Sequence, residues 1–291
     1  MEMSDNFLST VLEEVLGREV QIHDTSTESG GCINNAIHLN TSEGHYFLKW
    51  NDKVPDDMFR KEADGLDLLN GSGQVKIPTP LGHGKTGNKN FILLEYIHPG
   101  IPSKNYWEEL GHSLAKLHHD NTANKYGLEY DNYIGKLPQK NDFCDTWIEF
   151  FIQNRLEVQL KLALEQKEVD LQFALRYRKF YDRLPSLLPE NPPSLLHGDL
   201  WSGNVMVDSD GKACLFDPAV YYGHREIELA FTRMFGGFGS GFYTAYQESY
   251  PLDPGFEERI NIYNMYPSMV HVNLFGGSYL NGVERVLRRY V

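Results

Sequence analysis

One stretch of the 291-residue chain carries the densest chemistry: His197-Gly198-Asp199-Leu200-Trp201-Ser202-Gly203-Asn204. Its spacing fits His-x-Asp-Leu-x-x-x-Asn. Moving a phosphoryl group from ATP to a hydroxyl needs a carboxylate to accept the proton of the attacking hydroxyl. It also needs oxygen ligands for magnesium beside the transferred group. Asp199 suits the first task, and Asn204 the second through its amide oxygen. Thirteen residues past Asn204, Leu215-Phe216-Asp217-Pro218 puts an aspartate at the end of the apolar run 213–216. A second magnesium carboxylate belongs there. Either aspartate alone reads as a turn cap or a hairpin end. Together, in this order and with Asn204, they read as a phosphoryl-transfer set.

Lys49 sits inside the apolar run Tyr46-Phe47-Leu48-Lys49-Trp50. Alone it would be an outward-facing strand lysine whose stem lies along the surface. Glu62 changes that reading, because it falls on the apolar face of the following helix, where an unpaired carboxylate is costly. An ion pair between Lys49 and Glu62 accounts for both, with Lys49 holding the α- and β-phosphates. Ser29-Gly30-Gly31-Cys32-Ile33-Asn34 could lie over the phosphates, since glycines let backbone N–H groups approach oxygens. It is not Gly-x-Gly-x-x-Gly, and two adjacent glycines more often make a plain hairpin turn. Glu95-Tyr96-Ile97 follows an apolar run and precedes a Pro/Gly break, the position of a hinge whose backbone would bind the adenine edge.

The elements that must position these residues follow from periodicity. Strands are expected at 19–24, 36–40, 45–50, 77–82 and 91–96. Phe59, Glu62, Ala63, Leu66 and Leu69 recur at helical spacing within 56–70, and Asn70-Gly71-Ser72-Gly73 ends that helix. His98-Pro99-Gly100-Ile101-Pro102 breaks the pattern. Beyond it, Trp107, Leu110, Leu114 and Leu117 share one helix face. Single helices are expected over 147–166 and 171–188, loop and hairpin over 195–217, and helix from 226 onward with a kink at Pro267. The fold class expected is α+β, a protein-kinase-like bilobal fold. A small β-rich N-terminal lobe with one helix, 1–97, would bind nucleotide. A larger, mainly helical lobe, 98–291, would carry catalysis and substrate.

Composition narrows the partners. The chain is 41% hydrophobic, enough for a packed core, and carries a net charge of −13. That balance argues against nucleic acid, which is met by basic patches, and against an anionic membrane surface. Three cysteines, Cys32, Cys144 and Cys214, do not build a disulfide framework. The first sixteen residues lack a basic segment followed by an apolar run, and no run approaches the roughly 18 apolar residues of a membrane span. A cytoplasmic protein is expected.

With these residues assembled, the chain resembles the fructosamine kinase (ketosamine-3-kinase) family, related to the aminoglycoside and choline kinases. The resemblance runs from about Gly17 to Arg289. It rests on the 197–204 motif, where Trp201 stands at a position that aminoglycoside kinases more often fill with histidine, and on Asp217-Pro218-Ala219-Val220-Tyr221-Tyr222-Gly223-His224-Arg225-Glu226. Gly30 to Asn34, Asn132-Tyr133-Ile134-Gly135, and Trp147, Phe150, Phe151 and Arg155 add to it.

The resemblance implies ATP- and magnesium-dependent phosphorylation of the sugar 3-hydroxyl of a ketosamine, such as fructosamine or ribulosamine, free or on a protein lysine. The 3-phosphate is unstable, so the activity would be deglycation repair. It implies Asp199 as proton acceptor, Asn204 and Asp217 as magnesium ligands, Lys49 and Glu62 as the phosphate-binding pair, and Glu95, Tyr96 and Ile97 as the hinge. Trp201 becomes a platform for the sugar, or else a wedge packing the loop. His271 matches a position near the substrate. Cys32 matches a loop cysteine that in some members forms a redox-sensitive disulfide between protomers, so a monomer or such a homodimer is implied; as a small residue in a tight loop it needs no such role.

Two other readings compete. The same fold could act on another small hydroxyl compound, such as an aminoglycoside, an amino alcohol or a sugar; Trp201 and the 217–226 block argue against this through resemblance. A non-catalytic binding protein should have lost Lys49, Asp199, Asn204 or Asp217, and all four are present. Lys104, Tyr126 and the 166–178 segment match no family motif closely, which leaves the choice of ketosamine open.

Overall fold

The structure, a computed structural model, describes residues 5–27 and 34–291. Helix α1 (Asp5–Leu16) leads into strands β1 (Ile22–Thr27), β2 (Asn35–Thr41) and β3 (Gly44–Asn51). Helix α2 (Met58–Ser72) and strands β4 (Pro80–Thr86) and β5 (Lys89–Glu95) follow. Then come α3 (Tyr106–Asp120), the hairpin β6 (Asn132–Ile134) and β7 (Leu137–Gln139), and helices α4 (Trp147–Phe150), α5 (Glu157–Glu165), α6 (Leu171–Tyr181) and α7 (Leu184–Leu187). Short strands β8 (Ser194–Leu196), β9 (Val205–Val207), β10 (Ala213–Leu215) and β11 (Tyr221–Gly223) precede α8 (Arg225–Thr232), α9 (Ser240–Ser249), α10 (Phe256–Tyr263), α11 (Met265–Phe275) and α12 (Leu280–Tyr290).

The chain divides into two compact units, Met1–Tyr106 with Gly203–Pro218, and Trp107–Ser202 with Ala219–Val291. The first is a small antiparallel sheet with helices and the second is mainly helical, a mixed α+β, protein-kinase-like architecture. The expected division at 97/98 differs from this one in where residues 98–106 and the 203–218 hairpin belong.

In the first unit the described strands form a sheet of order β1-β2-β3-β5-β4. Alternation along β2 and β3 decides its two faces. Ile37, Leu39, Leu48, Phe91 and Leu93 pack with Phe7, Leu8, Val11 and Leu12 of α1 in one buried core. Lys49, paired in register with Ala36 and Ile92, therefore points to the opposite face. A one-residue slip of β3 would drive the lysine under α1, so the core fixes where the charge goes. The β9–β10 hairpin is anchored in the same unit. Leu215 N–H donates to Lys76 O (2.9 Å), Gly100 N–H to Val207 O (3.0 Å), and Lys76 Nζ meets the buried Asp208 at 2.7 Å.

Three expectations about the second unit need correction. The single helix over 147–166 carries a π-helical turn, Phe151–Leu156, between α4 and α5. The extra residue there turns Arg155 into the core, where it is fully buried. The helix over 171–188 is two helices, α6 and α7. The expected kink at Pro267 is a break between two helices, α10 ending at Tyr263 and α11 starting at Met265, with Pro267 in the first turn of α11, where its missing N–H has no partner to lose. In the first unit, β1 and β4 begin three residues later than expected, at Ile22 and Pro80. No helix among the described residues is long and apolar enough to cross a membrane.

Candidate active site

In the first unit, Lys49 joins two carboxylates. Its Nζ donates to Glu62 Oε1 and to Asp217 Oδ1, each at 2.7 Å. Lys49 is 5% exposed. Burial acts most strongly against its charge, but Asp217 and then Glu62 outweigh it and hold the ammonium protonated. Glu62 lies on the buried face of α2 with Phe59, Ala63 and Leu66, and burial pushes its carboxyl up against the pull of Lys49. Asp217 has left-handed backbone, φ +56°, which for a residue with a Cβ is held by its surroundings rather than preferred.

Hairpin register brings the other candidate ligand alongside. Leu215 pairs with Val205, so the next N–H, that of Phe216, donates to Asn204 O at 3.1 Å. Thirteen residues of sequence thus close into adjacency between Asn204 and the Phe216-Asp217 step. The donor set fits magnesium: an aspartate carboxylate and an asparagine amide are hard oxygen donors, and the Asp217 carboxylate already attracts a cation, the Lys49 ammonium. No group of three or more His, Cys, Asp or Glu among the described residues forms a metal cage. Magnesium commonly takes one or two carboxylates and completes its shell with phosphates and water.

At the expected hinge, Glu95 ends β5 and its N–H donates to Thr79 O at 3.0 Å. Ile97 is buried. Tyr96 continues the face that carries Lys49 and stacks on His38, ring centroids 3.9 Å apart. His38 also shares a hydrogen bond with His45 (2.8 Å), and His98 lies edge-on to both Tyr96 and His45. This histidine group had no motif to reveal it; only alternation along β2 and β3 puts it on the Lys49 face. Gly30, Gly31 and Cys32 lie outside the described residues.

In the second unit, Asp199 lines a small cavity with Tyr266 and His271, its walls otherwise mostly apolar. Its loop is held by backbone and buried carboxylate. Leu196 and Leu195 on β8 pair with Tyr221 and Tyr222 on β11, and Ala219 N–H donates to His197 O at 2.8 Å. Gly198, φ +83°, is required: a Cβ there would lie 2.0 Å from Ala219 O. The Gly198 N–H donates to Glu228 Oε1 at 2.7 Å. His118 Nε2 donates to the other oxygen at 2.9 Å, and Tyr246 OH donates to His118 Nδ1 at 2.8 Å. Burial would raise the Glu228 carboxyl, but the His118 and Gly198 donors hold it below its usual range.

The 219–220 segment has its own support. Asn132 Nδ2 donates to Val220 O (2.8 Å) and Gln139 Nε2 to Ala219 O (3.0 Å). Tyr266 OH donates to Gln139 Oε1 at 2.7 Å. Arg155 donates to Asn141 Oδ1 and Lys140 O while its guanidinium lies 3.9 Å from the Tyr221 ring centroid. Sequence reasoning singled out Asn132 and Arg155 as motif positions without a task; it missed Glu228, His118 and Gln139.

Trp201 is half-buried and edge-on to Phe235, centroids 5.5 Å apart. Phe235 in turn lies 5.0 Å from the His271 ring. His271 Nδ1 donates to Pro267 O at 2.7 Å, and burial lowers its pKa. The neutral ring then keeps Nε2 as an acceptor.

The comparisons agree with this geometry. A family model described as fructosamine kinase matches residues 4–291. A Synechocystis protein named as a ketoamine kinase is 35% identical over 278 residues, 96% of this chain and 94% of that one. A chloroplastic protein-ribulosamine 3-kinase of Arabidopsis thaliana is 37% identical, over 94% of this chain and 85% of its own. A crystal structure named as a fructosamine-3-kinase of Haemophilus somnus superposes with TM-score 0.87 at 30% identity, covering 98% of this chain and 96% of that chain. With the match running from residue 4 to residue 291, and relatives sharing more than a third of their residues across it, the chain belongs to the fructosamine kinase family.

Proposed function

We propose that this chain phosphorylates the sugar 3-hydroxyl of a ketosamine, with Asp199 accepting the proton of the attacking hydroxyl. Family membership makes it an ATP-dependent phosphotransferase acting on ketosamines. The observation that carries the residue assignment is the Lys49–Glu62–Asp217 ion cluster, each contact at 2.7 Å. A buried lysine kept charged by two carboxylates is a fixed cation for phosphate oxygens.

Lys49 would grip the α- and β-phosphates, and Glu62 would hold Lys49 in place. Asn204 and Asp217 would hold magnesium, which when bound neutralises charge on the phosphoryl oxygens. Glu95, Tyr96 and Ile97 would offer backbone groups to the adenine edge. Asp199 faces a largely apolar cavity, in which it would accept the proton of the attacking hydroxyl. Trp201 and His271 would flank the sugar. The acceptor would extend to ketosamines on protein lysines, a reading supported by the relative named as a protein-ribulosamine 3-kinase. Cys144 and Cys214 are free and buried, and burial pushes the Cys214 thiol up to about 12; the setting we propose is cytoplasmic. Cys32 keeps its proposed role as a redox-sensitive link between protomers. A Cys32-dependent dimer on a non-reducing gel after peroxide supports that role, and its absence removes it.

The test of function is magnesium-dependent ATP consumption against a fructosamine, a ribulosamine, an aminoglycoside and choline. Turnover of the ketosamines supports the reading and ranks the sugars. Turnover of only the aminoglycoside or choline would overturn the substrate assignment.

A further inference from the structure

His271 stands in the wall of the Asp199 cavity. The same imidazole that lines it touches three further aromatic rings, Phe235 at 5.0 Å, Phe275 at 5.6 Å and Tyr279 at 5.0 Å between centroids. Two of these rings are turned outward, Phe235 at 42% and Phe275 at 52% exposed. Large apolar rings grouped at the surface beside a cavity mark a contact site rather than scattered exposure. Phe235 is also held in left-handed backbone, φ +53°, which few residues with a Cβ adopt. Strain of that kind is retained where a local position is needed.

A ketosamine has two ends. Its sugar hydroxyl must reach Asp199, and its other end is a protonated secondary amine bearing a substituent. Beyond His271 stand aromatic faces, which attract a cation and cover an apolar group. We infer that Phe235, Phe275 and Tyr279 form a shelf for the amine substituent, so that this enzyme prefers ketosamines whose amine carries an aromatic or bulky apolar group. The neutral state of His271 suits the inference, since a charged imidazole would repel the substrate ammonium. This rests on the ketosamine reading above and adds to it the class of amine.

The experiment compares two fructosamines, one made from methylamine and one from benzylamine, in the wild type and in Phe275→Ala, Phe235→Gly and Phe275→Tyr. Each protein is scored by the ratio of its two kcat/KM values, so partial loss of folded enzyme cancels. The wild type should prefer the benzyl compound by about tenfold, the usual discrimination of an apolar pocket, with the difference in KM. Phe275→Ala and Phe235→Gly should bring the ratio close to one, and Phe275→Tyr should keep it. A wild-type ratio of one, or a preference that survives both truncations, overturns the shelf while leaving the ketosamine reading intact. Failure of the wild type to phosphorylate either fructosamine or the two matching ribulosamines overturns the ketosamine reading itself, and the shelf with it.

Discussion

Glu228 accepts the N–H of Gly198 at 2.7 Å, one residue before the proposed proton acceptor. The carboxylate is buried and is bound on its other oxygen by His118, so it is a fixed strut under the loop. In Glu228→Gln the amide cannot accept from both donors. The loop should shift, and a shift near 1 Å can cost about a hundredfold in rate. We expect kcat to fall by about tenfold to a hundredfold, with a smaller change in KM for ATP. Wild-type kcat in a folded variant would remove Glu228 from the positioning of Asp199.

Gly198→Ala tests the same loop from the backbone. The added methyl would lie 2.0 Å from Ala219 O, in a residue with φ +83°. Activity should fall by more than stability does. A variant with wild-type kcat and unchanged melting temperature would show that the loop tolerates movement.

The Lys49–Glu62 pair makes a different prediction. Removing one partner of a buried pair leaves the other uncompensated, at a cost of about 3 to 5 kcal/mol. Glu62→Ala should lower the melting temperature and raise KM for ATP, and Glu62→Gln should do so less. Denaturant unfolding and initial rates measure the two effects. An unchanged KM for ATP would separate Glu62 from nucleotide binding.

His224 predicts a pH effect. It caps α8 by accepting Glu226 N–H at Nδ1 while Nε2 donates to Pro189 O. Burial, and then Arg225, lower its pKa from 6.5 to about 3. The folded state therefore binds fewer protons than the unfolded state between those values, so stability is complete above about pH 6.5 and is lost as pH falls toward 3. The full shift corresponds to roughly 5 kcal/mol. His271 shifts the same way and adds to the slope. His224→Asn, which can still cap the helix, should flatten the dependence of melting temperature on pH between 6.5 and 4.5. An equal slope in wild type and variant would contradict the account.

Some of this was legible because a charge on an apolar element demands a partner. Lys49 in a strand and Glu62 on a helix face each posed that demand, and each answered the other. Asp199, Asn204 and Asp217 stood out as types at a spacing, and the hairpin register brings Asn204 beside the Phe216-Asp217 step. Helix α1 was open to the same reasoning, since Phe7, Leu8, Val11 and Leu12 recur at helical spacing; weighing that stretch only as a leader passes over it. Glu228 and His118 were not legible: they are 110 residues apart and meet through packing alone. Nor was the π turn, because periodicity over 147–166 is broken by a single residue whose purpose, burying Arg155 against Tyr221, is tertiary.

The central claim is that Asp199 accepts the proton during phosphoryl transfer. The most direct test measures kcat on a fructosamine and ATP affinity side by side in Asp199→Asn. A positioned base contributes about a hundredfold to ten-thousandfold. The account predicts a loss of kcat in that range with ATP affinity within a few-fold of wild type. Turnover near the wild-type rate in a variant that binds ATP normally would contradict it.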